Sequence, residues 1–255
     1  MARADDFLNL VLEKSNNAEP VSIAHLLWPG GTTQVYVLRR GEFTPPLPVA
    51  LSRHVRSRLE ELESRGGIAD LLAIETDGQV IQVALEVVRP RLRLAVFGAG
   101  HVGQAVALIG SMLGYDVLVV DDREEFASRK RFPDRRISLL VSDFVTAGEK
   151  ARITAGTAVV IVTRGHQSDE ACLRSVLRSR ATYLGMIGSR RRVLGVFKKL
   201  SGEGISEAEL GRVHAPVGLK IGARTPQEIA VSILAEIIEH VNNPSKHNRE
   251  NADGI

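Results

Sequence analysis

A Gly-x-Gly-x-x-Gly turn, set between a short apolar run and a helical pattern, constrains this chain more than any other stretch. The run Leu92-Arg93-Leu94-Ala95-Val96-Phe97 leads into Gly98-Ala99-Gly100-His101-Val102-Gly103. Gly98 permits the tight turn, Gly100 lets a ligand approach the backbone closely, and Gly103 lets the following helix pack against the strand. The helix start then offers N–H groups and a positive dipole end to a phosphate. His101 and Val102 lie inside the turn and join the candidate binding set. A second apolar run, Asp116 to Val120, ends in Asp121-Asp122-Arg123. That is about 20 residues on, where an acid meets a ribose hydroxyl in dinucleotide sites. Asp121 is the first choice for that contact and Asp122 the second. Arg123 would instead admit a 2′-phosphate. The competing reading is a turn of the same shape that binds nothing.

From Leu92 onward, strand and helix patterns alternate. Strands are expected at Leu92–Phe97, Asp116–Asp121, Ile137–Val141, Ala158–Thr163 and Thr182–Ile187. Helices are expected at His101–Leu113, Asp169–Arg178, Arg190–Leu200 and Pro226–Val241. Such alternation predicts the α/β class, a Rossmann-like, doubly wound parallel sheet with helices on both faces and ligands at the strand carboxyl ends. Residues 1–88 read differently, as a small α+β domain. A short helix is expected at Met1–Leu12 and a strand near Thr33–Leu38. Thr44 to Pro48 makes a rigid break. A helix follows over Val49–Ser64, with Val55, Leu59 and Leu62 on one face. Leu71–Glu75 and Val80–Val88 flank Thr76-Asp77-Gly78, a hairpin signal. Arg89-Pro90-Arg91 marks the expected boundary, the Rossmann-like domain spans 92–243, and a polar, disordered tail is expected over 244–255.

Three further loops fall on the ligand side of the expected sheet. The first is Thr163-Arg164-Gly165-His166-Gln167-Ser168-Asp169-Glu170. Ser168 suits a helix N-cap, and Asp169 and Glu170 suit a first turn. Thr163, Arg164 and His166 stay as candidate ligand contacts. The second is Gly188-Ser189-Arg190-Arg191-Arg192, in which Ser189 suits an N-cap. Arginines in a first helical turn oppose the macrodipole, so an anion is expected beside at least one of them. Gly188, Ser189 and Arg190 enter the binding set; a solvated basic face is the alternative. The third runs from His214 to Glu228. Its end is a helix start, with Thr225 as N-cap, Pro226 at the first position and Glu228 closing a capping box. His214 precedes an irregular segment and is the candidate there.

Several classes are disfavoured. A formal net charge of +3 and 4% aromatic residues do not suggest a nucleic-acid binder. One cysteine, Cys172, permits neither an internal disulfide nor a cysteine cluster, and its helical, apolar setting reads as core. The histidines lack metal-ligand spacing, so no protein-ligated metal is expected. Nothing resembles a signal peptide or a membrane span, and a cytoplasmic location is expected.

Over Leu92 to about His240 the chain resembles the XdhC/CoxI family, accessory proteins of xanthine dehydrogenase and related molybdenum hydroxylases. The resemblance rests on collinear blocks: Phe-Gly-Ala-Gly-His-Val-Gly (97–103), Val-Val-Asp-Asp-Arg-Glu-Glu-Phe (119–126), Arg-Phe-Pro (131–133), Tyr-Leu-Gly-Met-Ile-Gly-Ser-Arg-Arg (183–191), and His-Ala-Pro-Val-Gly-Leu through Ala-Glu-Ile-Ile (214–238). It implies a homo-oligomeric maturation chaperone that binds molybdenum cofactor, a pterin phosphate sometimes carrying a second nucleotide. Such a chaperone supports sulfuration and delivers the cofactor to an apo molybdenum hydroxylase. Members usually carry Ser-Gly-Gly-Cys and Cys-Gly-Gly segments ahead of the Rossmann half. Here Phe43 to Pro48 and Glu75 to Gln79 stand in those regions, without cysteine, and Lys220 stands where an acid is common. A thiolate is the natural soft ligand for molybdenum. The implied sulfur chemistry would then fall to a partner, a cysteine desulfurase or a cysteine-bearing paralogue. Two other readings stay open on the residues alone: an NAD(P)-dependent oxidoreductase, and a nucleotide-sensing regulatory module.

Overall fold

The computed structural model describes residues 20–39, 42–88 and 91–242. The helix expected at Met1–Leu12 and the expected tail lie outside these residues. The chain divides into two compact units, 1–90 and 91–255.

Among the described residues, the first unit is a five-stranded antiparallel sheet with one helix packed on it. Its elements are β1 (Val21–Leu27), β2 (Thr33–Arg39), β3 (Glu42–Thr44), α1 (Val49–Ser64), β4 (Ala69–Thr76) and β5 (Gln79–Val88), and the sheet order is β3-β2-β1-β5-β4. Leu51, Val55, Leu59 and Leu62 of α1 are buried against Ala24, Leu26, Val83 and Leu85 of the sheet. β4 and β5 meet through a two-residue turn in which Thr76 pairs with Gln79. Asp77 and Gly78 both have positive φ (50° and 69°), the conformation a right-twisted hairpin demands. β1 escaped the sequence reading. Val21, Ser22, Ile23 and Ala24 are all buried, so no in–out alternation marks the strand.

The second unit contains β6 (Arg93–Phe97), α2 (His101–Met112), β7 (Asp116–Asp121), β8 (Ser138–Val141), α3 (Ala147–Lys150), β9 (Thr157–Ile161), α4 (His166–Val176), β10 (Tyr183–Met186), α5 (Arg190–Gly202), α6 (Glu207–Leu210), β11 (Val213–His214) and α7 (Pro226–Asn242). Its sheet order is β11-β10-β9-β6-β7-β8, and every neighbouring pair is parallel. The chain starts in the middle at β6, moves outward through β7 and β8, then returns to β9 on the other side. This is the doubly wound Rossmann order, and its crevice opens beyond the carboxyl ends of β6 and β9.

Alternate residues of each central strand feed two cores. Ala95, Phe97, Val159 and Ile161 pack with Cys172, Leu173 and Val196. Leu94, Val96, Val117, Val119 and Val160 pack with Val106, Ile233 and Ile237. Burial on both faces explains why these strands read as continuous apolar runs. Burial also pushes the Cys172 thiol far up, and the neighbouring carboxylates add to the shift. Cys172 therefore serves as a small apolar filler. Among the described residues, no helix is long and apolar enough to cross a membrane.

Candidate functional site

The glycine turn joins β6 to α2. Gly98 has φ +109°, a region that side chains rarely adopt, and its N–H donates to the Val120 carbonyl at 2.7 Å. A Cβ on Gly98 would lie 2.6 Å from the Val162 carbonyl oxygen, and one on Gly103 only 1.8 Å from the Gly98 carbonyl oxygen. A Cβ on Gly100 would meet nothing within 4 Å. Gly98 and Gly103 are thus glycines for the protein's own packing, whereas Gly100 opens outward. His101 is exposed at the first position of α2, and Val102 is half-buried behind it. The first turn of α2 carries N–H groups with no partner inside the helix, as every α-helix does.

The turn is clamped from below. The Ala99 N–H donates to Asp121 Oδ2 at 2.7 Å, and the Ala99 carbonyl accepts from Arg131 Nη2 at 3.0 Å. Arg131 also donates to Gln104 Oε1 at 3.0 Å, and Gln104 Nε2 returns a hydrogen bond to the Arg131 carbonyl at 2.9 Å. The sequence reading missed both residues. The Arg-Phe-Pro block was visible, but nothing local to it shows that Arg131 folds back onto a turn 32 residues earlier.

Asp121 requires a correction. Its side chain is 1% exposed, and its oxygens accept from Ala99 N–H and from Arg123 N–H, Nε and Nη2. Burial works to raise its pKa, but the Arg123 and Ala99 hydrogen bonds outweigh burial and hold the carboxyl below its usual range. It anchors the turn and presents no face to a ribose. Arg123 is turned inward with it. Its guanidinium also stacks 3.4 Å from the Phe126 ring centroid, and Arg131 approaches the same ring at 4.8 Å. The carboxylate that stays accessible at the end of β7 is that of Asp122. Its Oδ2 pairs with Arg164 Nη2 at 3.3 Å, from beyond the end of β9. Since β7 and β9 flank β6, this ion pair bridges the two strands on either side of the glycine turn.

The loop after β9 departs from expectation at its cap. α4 begins at His166 with Gly165 as N-cap, one turn ahead of the expected start, so Ser168 lies within the first turn. Thr163 does not face outward: its hydroxyl donates to Asp169, which is fully buried and also pairs with Arg192. The anion expected beside the arginines of α5 is therefore, for Arg192, this internal carboxylate. Arg190 and Arg191 are exposed. Ser189 caps α5 by accepting the Arg192 N–H at 3.3 Å, directly after Gly188. Thr225 and Glu228 form the expected reciprocal cap of α7, at 3.2 and 2.9 Å.

His214 ends β11, at the sheet edge. It stacks on Tyr183 with ring centroids 4.6 Å apart, and its Nδ1 lies 2.9 Å from Glu236 Oε1. Glu236 also accepts the Gly218 N–H, so one carboxylate ties the 214–218 segment to α7. Glu236 was unassigned in the sequence reading. The structure thus gathers the glycine turn, Asp122 and Arg164 at the crevice. It places Gly188, Ser189 and Arg190 one strand further out and His214 at the edge.

A family model described as the XdhC Rossmann domain matches residues 94–237. The chain is 37% identical over 166 residues to the uncharacterized protein YqeB of Escherichia coli (strain K12), covering 65% of this chain and 30% of that protein. It is 30% identical over 163 residues to a probable xanthine dehydrogenase subunit of Bacillus subtilis (strain 168), covering 63% and 46%. It is 29% identical over 149 residues to the molybdenum cofactor insertion chaperone PaoD of Escherichia coli (strain K12), covering 58% and 40%. The matched stretches thus span less than half the length of these relatives. A crystal structure described as a xanthine dehydrogenase from Bacillus halodurans shares the fold, with a TM-score of 0.54, 17% identity, and coverage of 92% of this chain and 95% of that one.

Proposed function

The chain belongs to the XdhC family, and from this premise we propose that it is an accessory chaperone that binds molybdenum cofactor and assists maturation of a molybdenum hydroxylase. The observation that carries the reading is the glycine turn. Its packing glycines are locked from within, Ala99 is held at both its N–H and its carbonyl, and Gly100 alone opens outward. A phosphate is the ligand such a turn is built for.

The residues fit the anionic, organic end of the cofactor. Gly98, Gly100 and Gly103 shape the turn, with the N–H groups at His101 and Val102 directed by the start of α2. Arg164 supplies a cation at the mouth, and Gly188, Ser189 and Arg190 border the crevice from the next strand. The cofactor supplies the molybdenum chemistry when bound; the protein holds, shields and hands over. Among the described residues none offers a soft thiolate, because Cys172 is sealed in the core. Sulfuration is accordingly assigned to a partner, a desulfurase or a cysteine-bearing relative. Docking falls to the first unit. Leu27, Val35, Leu71 and Val80 lie on the sheet face opposite α1 and are 41–79% exposed, an apolar surface for the apoenzyme or a second copy.

Mixing the purified full chain, loaded in a host that makes molybdenum cofactor, with a cofactor-free apo molybdenum hydroxylase tests the proposal. Activation above the level reached with free cofactor alone is expected. Activation no greater than that level would remove the chaperone role.

A further inference from the structure

Beyond the ends of β10 and β11 lie cations that the fold does not neutralise. Residues 188–199 hold five cations and no acid, and residues 215–225 hold two cations and no acid. Arg192 is answered by the buried Asp169, and Lys199 by Glu170 at 2.8 Å. The next acid along the chain, Glu228, accepts the Arg224 and Thr225 N–H groups at 2.7 and 2.9 Å. Arg191, Lys220 and Arg224 are exposed, and none has an ion-pair partner among the described residues. Arg191 stands in the first turn of α5, which holds no acid, and Arg224 stands just ahead of α7. A cation at a helix start opposes the macrodipole, so these positions cost the fold stability and raise the positive potential outside it.

The same rim exposes aliphatic side chains on a fixed backbone. The Val217 N–H donates to the Met186 carbonyl at 3.0 Å, which ties the loop after β11 to the end of β10, just ahead of Gly188 and α5. The Leu219 N–H donates to the Ser232 carbonyl at 3.2 Å, and a Cβ on Gly218 would collide with the Ser232 hydroxyl, so the loop is pressed onto α7. From this anchored loop Leu219 and Ile221 emerge 37% and 55% exposed, and Leu194, on the next turn of α5 from Arg191, is 67% exposed. A small anion is satisfied by one or two cations and gains nothing from aliphatic neighbours. Aliphatic groups set among cations on two elements match a protein surface with an apolar centre and an acidic surround.

We propose that this rim, carried by Arg191, Leu194, Leu219, Lys220, Ile221 and Arg224, docks the acceptor protein through an acidic, apolar-centred surface around the acceptor's own cofactor entrance. The inference rests on the chaperone reading and deepens it, because it says where the acceptor meets the chain and by what chemistry. The rim adjoins Gly188, Ser189 and Arg190, so a partner seated there covers the crevice mouth and keeps water out of the transfer path. The apolar sheet face of the first unit is a separate contact.

Association kinetics of the full chain with a cofactor-free apo molybdenum hydroxylase, followed from about 0.05 to 0.5 M salt, test this. Wild-type association should slow steeply as salt rises. The triple variant Arg191→Glu/Lys220→Glu/Arg224→Glu should associate at least about tenfold more slowly at the lowest salt and approach wild type at the highest. The neutral triple variant with Gln at the same positions should lie between the two. Ile221→Ser should instead speed dissociation and leave the salt dependence unchanged. Native mass spectrometry should find cofactor retained at the wild-type level in all three variants. Thermal midpoints should not fall, since the charge changes remove cations from helix starts. Wild-type association by both triple variants at low salt would overturn the rim as the docking surface and leave the chaperone reading standing. Loss of cofactor from the triple variants would assign the cations to the ligand and overturn the inference as well. Self-association of wild type that the triple variants abolish, with apoenzyme binding unchanged, would give the rim to a second copy. No association of wild type with the apoenzyme, together with no activation above free cofactor, would remove the chaperone reading and this inference with it.

Discussion

Gly103→Ala is expected to destabilise the second unit by about 3 kcal/mol or more, while Gly100→Val leaves it folded and removes the ligand. The two glycines stand three residues apart in one motif, yet their surroundings are opposite. An alanine Cβ at 103 would lie 1.8 Å from the Gly98 carbonyl oxygen, which is backbone and cannot swing aside. Overpacking of this kind typically costs about 1–3 kcal/mol, and more where backbone must move. At 100 a Cβ meets no atom within 4 Å, and the residue is an N-cap at φ −66°, ψ −169°, a conformation open to valine. Losing glycine at a cap costs under about 1 kcal/mol. Thermal melts should therefore show Gly103→Ala lowered by roughly 6–12 °C and Gly100→Val close to wild type. Bound cofactor should show the reverse order of damage among folded protein, with Gly100→Val weakened at least about tenfold because its side chain fills the phosphate approach. Full retention by Gly100→Val would contradict the assignment of the turn.

Asp121→Ala is the second large effect, expected to cost about 3 kcal/mol. It removes the acceptor of the Ala99 N–H and leaves Arg123, whose side chain is 20% exposed, without its principal partner. Removing one member of a buried pair generally costs about 3–5 kcal/mol, and the partial exposure of Arg123 puts this site at the lower end. The same contact sets a pH dependence. The folded carboxyl titrates below the unfolded value of about 3.9, so its stabilisation is complete above that pH and is lost as pH falls through the lower, folded value. Urea midpoints measured downward from pH 5 should therefore fall more steeply for wild type than for Asp121→Asn. Parallel profiles would show that Asp121 is not the anchor described.

The sheet and the turn were legible in the sequence because their causes are local. Continuous apolar strands, a glycine motif at a strand end, and reciprocal caps such as Thr225 with Glu228 all declare themselves within a few residues. What escaped was decided by contacts distant in sequence or by burial. β1 was hidden because its first four residues, Val21 to Ala24, are buried whichever face they point to. Which of two neighbouring aspartates faces the crevice depends on Arg123 folding back over Phe126. The anion beside Arg192 proved to be Asp169, delivered from another helix. Arg131, Gln104 and Glu236 act through partners 18 to 32 residues away, and no spacing rule announces them.

The central claim is that the crevice beyond β6 holds molybdenum cofactor by its phosphate end. Native mass spectrometry under anaerobic conditions, on the full chain purified from a host that makes the cofactor, tests it most directly. A mass increment matching a pterin phosphate, with or without molybdenum and a nucleotide, is expected in wild type and should be absent from Gly100→Val. A nicotinamide or flavin dinucleotide in its place, or an empty protein that takes up NAD on titration, would contradict it.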